Sequence, residues 1–205
     1  VIIALVVTIF LGYLLGSISF SYLLAKHLRK IDIRTSGSGN AGATNTLRVL
    51  GVGPAITVLV LDILKGVVPV WVALLWVGES SPVIPALAGL AAIIGHNWPV
   101  FFHFRGGKGV ATTIGVLATL LFYPSFIAGC IAIISIVVTR YVSLGSLLFG
   151  IMTPVMAWCL LPFRFYPYEY IFLSMLLMIV SLWRHRENVS RLLSGTENKI
   201  GKKQM

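Results

Sequence analysis

The sequence predicts an all-α membrane protein whose helices cross the bilayer seven times, and three observations predict it. Of the 205 residues, 58% are hydrophobic and 11% charged, with a mean hydropathy of +0.95, where a soluble domain carries about 25% charged residues. The apolar residues fall into runs, several of them near the ~20 residues that cross a hydrocarbon core as a helix. The Lys and Arg residues sit in the gaps between those runs, so the net charge of +10 reads as topology and contact with anionic headgroups, not as nucleic-acid binding.

The first run, Ile2 to Ala25, lacks a basic leading region and is too long for the apolar part of a signal peptide, so it is expected to be a retained span. Val52 to Trp76 follows, then three short runs: Pro82 to Ile94, Val110 to Phe122 and Pro124 to Thr139. Leu144 to Leu161 and Tyr168 to Trp183 complete the set. Charge separates the fourth span from the fifth at Tyr123 and Pro124. With seven spans every Lys and Arg except Arg164 and the intramembrane Lys65 reaches one face. Merging the two runs would send Arg140 and the basic C-terminal cluster across the membrane. The positive-inside rule then puts the amino terminus outside and the carboxyl terminus in the cytoplasm. The expected organisation is a single membrane domain, residues 1–205, with polar segments 26–51, 95–109 and 184–205 facing the cytoplasm. The outer connections, Gly78 to Ser81, the turn at Tyr123 and Pro124, and Pro162 to Pro167, hold little chemistry. Cys130 and Cys159 fall inside apolar runs without ligand or disulfide spacing and read as packing residues.

The first polar segment contains SGSGNAGATNTLR, Ser36 to Arg48. Gly37, Gly39 and Gly42 allow backbone conformations closed to other residues, and bare peptide N–H groups on such a loop can cradle an anion. Ser38, Asn40, Thr44, Asn45 and Thr46 add hydroxyls and amides, and Arg48 adds a guanidinium fork suited to phosphate. An ordinary connecting loop has the same composition, so context must decide. The second segment, Gly95 to Gly109, sets Gly106, Gly107 and Gly109 around Lys108 just before a helix, a second anion nest or an interfacial turn with a snorkelling lysine. His96 and His103 lack carboxylate or cysteine companions, so they read as hydrogen-bonding residues, and no metal or cofactor is expected. In the third segment His185 and Asn188 stand at i and i+3 and share a face if the last helix continues past the headgroups. His185 suits a general base, a phosphate donor or a plain interfacial residue. Asp62 and Lys65, also i and i+3, lie within the second span, where isolated charges are costly. They are expected to pair with each other and support the loops.

Two motif matches fail on context. Gly37 to Gly42 fits GxGxxG, with Asp62 placed as a ribose-binding acid would be, but no strand precedes it and Asp62 lies in a membrane span. His27 and Asp32 have the HxxxxD spacing of a non-polytopic class of glycerolipid acyltransferases without that class's other motifs.

Taken together, GSGNAGATN (Gly37 to Asn45), LDILKG (Leu61 to Gly66), GHNWPVFFHFRGGKGVAT (Gly95 to Thr112) and HREN (His185 to Asn188) resemble the bacterial integral-membrane acyl-phosphate:glycerol-3-phosphate acyltransferases, the PlsY family. The resemblance implies a seven-helix bundle that transfers a fatty acyl group from acyl phosphate to the sn-1 hydroxyl of glycerol 3-phosphate, giving lysophosphatidate and phosphate, the first acylation of phospholipid synthesis. It carries a site onto Ser38, Arg48, Lys108, His185 and Asn188, with Ser38, between two glycines, favoured over Ser36. Gly37, Gly39, Asn40, Thr44, Asn45, Gly106 and Gly107 complete the expected substrate contacts, and Asp62, Lys65 and His96 support them. The expected partners are the two phosphate substrates, membrane lipid and the soluble enzyme that makes acyl phosphate. With an activated mixed anhydride as donor and no triad spacing around Ser38, direct attack without an acyl-enzyme is expected, the base being His185 or a substrate phosphate oxygen. Two other readings stay open: a small anion or lipid-phosphate transporter using the same basic loops, and a non-enzymatic membrane scaffold.

Overall fold

The computed structural model describes residues 1–163 and 165–201, so Arg164, Lys202 and Lys203 lie outside the described residues. The described chain is helical throughout, with no strand among those residues, and forms two compact units, Val1–Leu120 and the remainder from Leu121.

The first unit opens with α1 (Ile2–Gly16) and α2 (Phe20–Arg29). These replace the continuous first span expected from hydropathy, because the helix is interrupted over Ser17 to Ser19. The break is stabilised from a neighbouring helix. Lys65 of α4 (Val52–Val77) donates to the Ile18 carbonyl at 2.7 Å, satisfying a backbone acceptor that the interruption removes from the helical ladder. Hydropathy averages over such a break; it does not see it.

Apolar side chains gain little by leaving lipid for each other, so membrane helices associate through close backbone approach at small residues. Here α1 lies on α5 (Val83–Asn97) with Gly12 and Gly16 against the Ala88 and Ala92 carbonyls. A Cβ on either glycine would collide with the facing backbone. In the same way Gly66 of α4 and Gly115 of α6 (Val110–Leu120) meet the Thr112 and Ile63 carbonyls. The short helix α3 (Ala43–Leu50) follows the first polar segment and leads through Gly51 into α4.

The second unit holds α7 (Phe122–Thr139), α8 (Val142–Cys159), α9 (Tyr168–Arg184) and α10 (Arg186–Leu193). The break between the fourth and fifth apolar runs falls at Leu121, two residues before the expected Tyr123, and Pro124 sits inside the first turn of α7, where its missing N–H costs no helical bond. Arg140, with φ +63°, turns the chain from α7 into α8. Cys130 and Cys159 are exposed on their helices, not packed as expected. Much of the helical surface is apolar and open, with Leu75, Val137 and Val138 each more than 70% exposed. A water-soluble protein does not present such faces; hydrocarbon covers them without penalty. Among the described residues five helical stretches are long and apolar enough to cross a membrane, Ile2–Arg29, Val52–Val77, Val83–Phe102, Phe122–Thr139 and Val142–Cys159, beside the shorter apolar Val110–Leu120.

Candidate active site

In the first unit the Ser36 to Gly42 loop is built around one buried amide. Asn45, on α3 and 0% exposed, accepts from the Ser38 N–H at 2.8 Å through Oδ1. Its Nδ2 donates to the Ile33 and Ser36 carbonyls at 3.1 and 3.0 Å. The sequence reading made Asn45 a substrate contact; the structure gives its whole side chain to the loop. Gly37 and Gly39 take φ of +60° and +70°, which no β-branched or bulky residue adopts readily, and a Cβ at Gly37 would strike Asn45 Oδ1. Gly42 is extended at φ −168°, a conformation open to any residue. Ser38 is thereby exposed on a loop whose peptide is held from beneath.

Four of the peptide N–H groups expected to cradle an anion are committed. Ser38 N–H goes to Asn45, Gly39 N–H to Ser36 O at 3.1 Å and Gly42 N–H to Asn40 O at 3.1 Å. In the second loop Gly107 N–H donates to His96 O at 3.2 Å. Side chains add charge for binding phosphate. Arg48 is exposed in the last turn of α3, Lys108 is half-buried before α6, and Asn40 and Thr44, ahead of Arg48 in sequence, are half-buried.

Gly106 and Gly107 serve close approach. A Cβ at Gly106 would meet His96 O, and one at Gly107 would meet Ala41 O and His96 Nε2. The two polar loops thus touch at Ala41 and Gly107, and the buried His96 ring lies beneath that contact. On its other side His96 Nδ1 stands 3.7 Å from Asp62 Oδ1, and the same oxygen pairs with Lys65 Nζ at 2.8 Å. Asp62, Lys65, His96 and the broken end of α1 form one buried polar cluster under Gly107.

The second loop is also tied to the helix pair. Tyr13 OH donates to Trp98 O at 3.0 Å, and Val100 N–H to Ser17 Oγ at 3.4 Å. Arg34 grips both carboxylate oxygens of Asp32 at 2.7–3.1 Å, donates to Phe102 O at 2.9 Å and lies 4.9 Å from the Tyr22 ring centroid. The hydrogen bonds from Arg34 hold the Asp32 carboxyl below its ordinary range. Asp32 is thus a structural partner of Arg34, which removes chemical content from the HxxxxD spacing. Arg34 itself was missed; its only sequence signal was a lone acid two residues before it.

In the second unit the last helix does not continue through His185, the condition on which a shared helical face of His185 and Asn188 rested. It ends at Arg184; His185, with φ −103° and ψ 8°, caps α9 and begins α10. His185 and Asn188 are nonetheless both buried, 2% and 6% exposed. His185 Nδ1 lies 2.9 Å from Ser181 O. A carbonyl only accepts, so Nδ1 carries the hydrogen and Nε2 of the neutral ring holds the lone pair. Asn188 Nδ2 donates to Glu197 Oε1 at 2.8 Å. Glu197 also accepts from Ser143 Oγ at 2.9 Å and Arg191 Nε at 2.8 Å. Burial opposes the charged form of Glu197, but those three hydrogen bonds outweigh it and lower its pKa. Among the described residues no group of three or more His, Cys, Asp or Glu side chains converges as a metal site.

The chain matches the family described as Glycerol-3-phosphate acyltransferase over residues 6–195. It is 65% identical over 202 residues to the glycerol-3-phosphate acyltransferase of Shouchella clausii (strain KSM-K16), covering 98% of each chain. It is similar to the crystal structure of PlsY, an integral membrane glycerol 3-phosphate acyltransferase, in its glycerol 3-phosphate form, with a TM-score of 0.89, 37% identity and 96% of each chain covered. Against the lysophosphatidic acid form the TM-score is 0.86 at 36% identity, over 96% of this chain and 95% of that one.

Proposed function

The chain belongs to the glycerol-3-phosphate acyltransferase family, and on that premise we propose which of its residues perform the reaction and how. It is an integral, multi-pass membrane enzyme that acylates glycerol 3-phosphate to lysophosphatidic acid. The donor is an acyl phosphate, a mixed anhydride already activated for transfer. The sn-1 hydroxyl attacks the acyl carbon directly, the bond from that carbon to the phosphate oxygen breaks, and inorganic phosphate leaves. The hydroxyl proton passes to His185 Nε2 or to a phosphate oxygen of the substrate.

The two substrates bring roughly four negative charges to the membrane surface. Arg48 and Lys108 neutralise them, supplying side-chain cations beside loops in which some peptide N–H groups are already committed. Ser38 donates its hydroxyl to a substrate oxygen, and the Asn45 bracket beneath it is the observation that carries this reading. A loop serving only as a connection has no use for an exposed serine whose peptide N–H is held by a buried amide that also clamps the Ile33 and Ser36 carbonyls. His185 is suited to accept a proton because Ser181 O fixes its tautomer. Asn188 contacts the glycerol hydroxyls. Gly37, Gly39, Gly106 and Gly107 shape the loops, Asn40 and Thr44 add polar contacts, and Asp62, Lys65 and His96 support Gly107 from below.

The topology we propose has seven spans, with α9 as the seventh, the amino terminus outside, and the segments 26–51, 95–109 and 184–205 facing the cytoplasm, where glycerol 3-phosphate and the soluble enzyme that makes acyl phosphate are found. Labelling of single cysteines introduced at positions 30 and 199 from the inside only, in a background lacking Cys130 and Cys159, is the result expected.

The test of the reaction is phosphate release from purified protein supplied with palmitoyl phosphate. Release should require glycerol 3-phosphate, fail with palmitoyl-CoA and drop by about 10²-fold in Lys108→Ala. Trapping of an acyl ester on Ser38 would overturn direct attack.

A further inference from the structure

The Glu197 carboxylate lies in a segment, Ser194 to Gly201, to which the reaction above assigns no task. Its side chain is 5% exposed and accepts three hydrogen bonds: Ser143 Oγ and Asn188 Nδ2 on Oε1, and Arg191 Nε on Oε2. The segment is further pinned where α7 turns into α8. Ile200 N–H donates to Arg140 O at 2.9 Å, and Lys199 Nζ lies 5.2 Å from the Tyr141 ring centroid. A carboxylate buried this deeply is costly unless its lone pairs are filled. Here the donors that fill them come from the first turn of α8, the first turn of α10 and the body of α10.

We propose that Glu197 is a positioning residue that sets the orientation of the Asn188 amide, so that Asn188 meets glycerol 3-phosphate through Oδ1 as an acceptor of a hydroxyl hydrogen and not through Nδ2 as a donor to phosphate. A carboxamide has one donor end and one acceptor end, and a rotation of its terminal bond exchanges them at little cost. The carboxylate of Glu197 can only accept, so it holds Nδ2 and turns Oδ1 the other way. The phosphate of the substrate needs donors, which Arg48 and Lys108 supply; the glycerol hydroxyls need an acceptor, which an amide fixed in this sense provides. Arg191 keeps Glu197 ionised and therefore unable to donate. The inference deepens the site reading above and rests on Asn188 touching substrate.

An exchange of the two side-chain chemistries tests it. Asn188→Asp sets two carboxylates against each other and should raise the KM for glycerol 3-phosphate at least tenfold while leaving the KM for acyl phosphate within about twofold. Adding Glu197→Gln should bring the KM for glycerol 3-phosphate back to within about threefold of wild type. The new amide at 197 can then donate to position 188 and to Ser143 Oγ and accept from Arg191, while position 188 still presents an oxygen. Glu197→Ala should raise the same KM with a smaller effect on kcat, because a released Asn188 amide samples both orientations. A double variant no better than Asn188→Asp alone, or a Glu197→Ala protein whose two KM values are unaltered while its apparent kcat falls in proportion to lost thermal stability, would overturn the positioning role. Asn188→Ala with an unaltered KM for glycerol 3-phosphate would instead overturn the contact between Asn188 and substrate, whatever Glu197 does.

Discussion

Asn45→Ala is the perturbation that most directly probes how this fold holds its reactive loop. The side chain makes three hydrogen bonds of 2.8–3.1 Å and is 0% exposed. A net value near 1 kcal/mol for each gives about 3 kcal/mol for the set. Part of this is recovered when the loop opens and water reaches the Ser38 N–H and the two carbonyls, leaving about 2 kcal/mol. That energy does not unfold the helices; it measures how far the native loop is favoured over looser ones. If the transition state needs the native loop, kcat/KM falls by about 30-fold, at roughly 1.4 kcal/mol per decade. Asn45→Asp should be worse, despite its similar shape. It keeps an acceptor for Ser38 N–H but turns a carboxylate oxygen toward the Ile33 and Ser36 carbonyls, converting two attractions into repulsions in a buried site. The assay is glycerol 3-phosphate-dependent phosphate release, with thermal unfolding measured in parallel. An Asn45→Ala enzyme that loses stability yet keeps kcat/KM within twofold would refute the link between loop anchoring and catalysis, as would an Asp variant more active than the Ala variant.

Gly107→Ala forces a Cβ against the Ala41 carbonyl and the His96 ring, so acyl transfer should fall by more than tenfold, about 1.4 kcal/mol or more, whereas alanine at Gly53, which has open space around it, should leave the rate unaltered. Removing one member of the buried pair, by Asp62→Asn or Lys65→Met, strands the other charge and should cost about 3–5 kcal/mol of stability; the two together should be milder than either alone, read by thermal unfolding in detergent. His185→Ala should slow kcat by about 10²–10⁴-fold if the ring takes the hydroxyl proton, and only several-fold if substrate phosphate does, which single-turnover rates separate. Glu197 has a folded pKa below its ordinary 4.5, so its contribution to stability is complete above that value and is lost as pH falls through the lower, folded one. Wild type should therefore lose stability on acidification below about pH 4.5 more steeply than Glu197→Gln, measured as unfolding temperature against pH.

Helix positions, membrane class and family were legible along the chain because each depends on local composition or on residues in a fixed order. A run of apolar side chains must find hydrocarbon whatever its neighbours do, and four polar motifs in succession carry the family resemblance without any contact being known. The roles within those motifs were not legible in the same way. Asn45 and Ser38 both read as polar loop residues; only the packing of α3 under the loop turns one into scaffold and leaves the other exposed. Four of the peptide N–H groups that make these glycine-rich loops look like anion nests are committed to Asn45, Ser36, Asn40 and His96, and a linear pattern of glycines cannot reveal where hydrogen bonds go. The interruption at Ser17 to Ser19 lay hidden because its cost is met by Lys65, 47 residues away. Glu197 carries no signal of its own in the sequence, and its role is set by three donors from two helices that the fold gathers around it. Periodicity and composition record what each residue prefers alone, whereas burial and hydrogen-bond partnership belong to pairs brought together by the fold. That is why the chain declared its class in one dimension and assigned the work of its polar residues only in three.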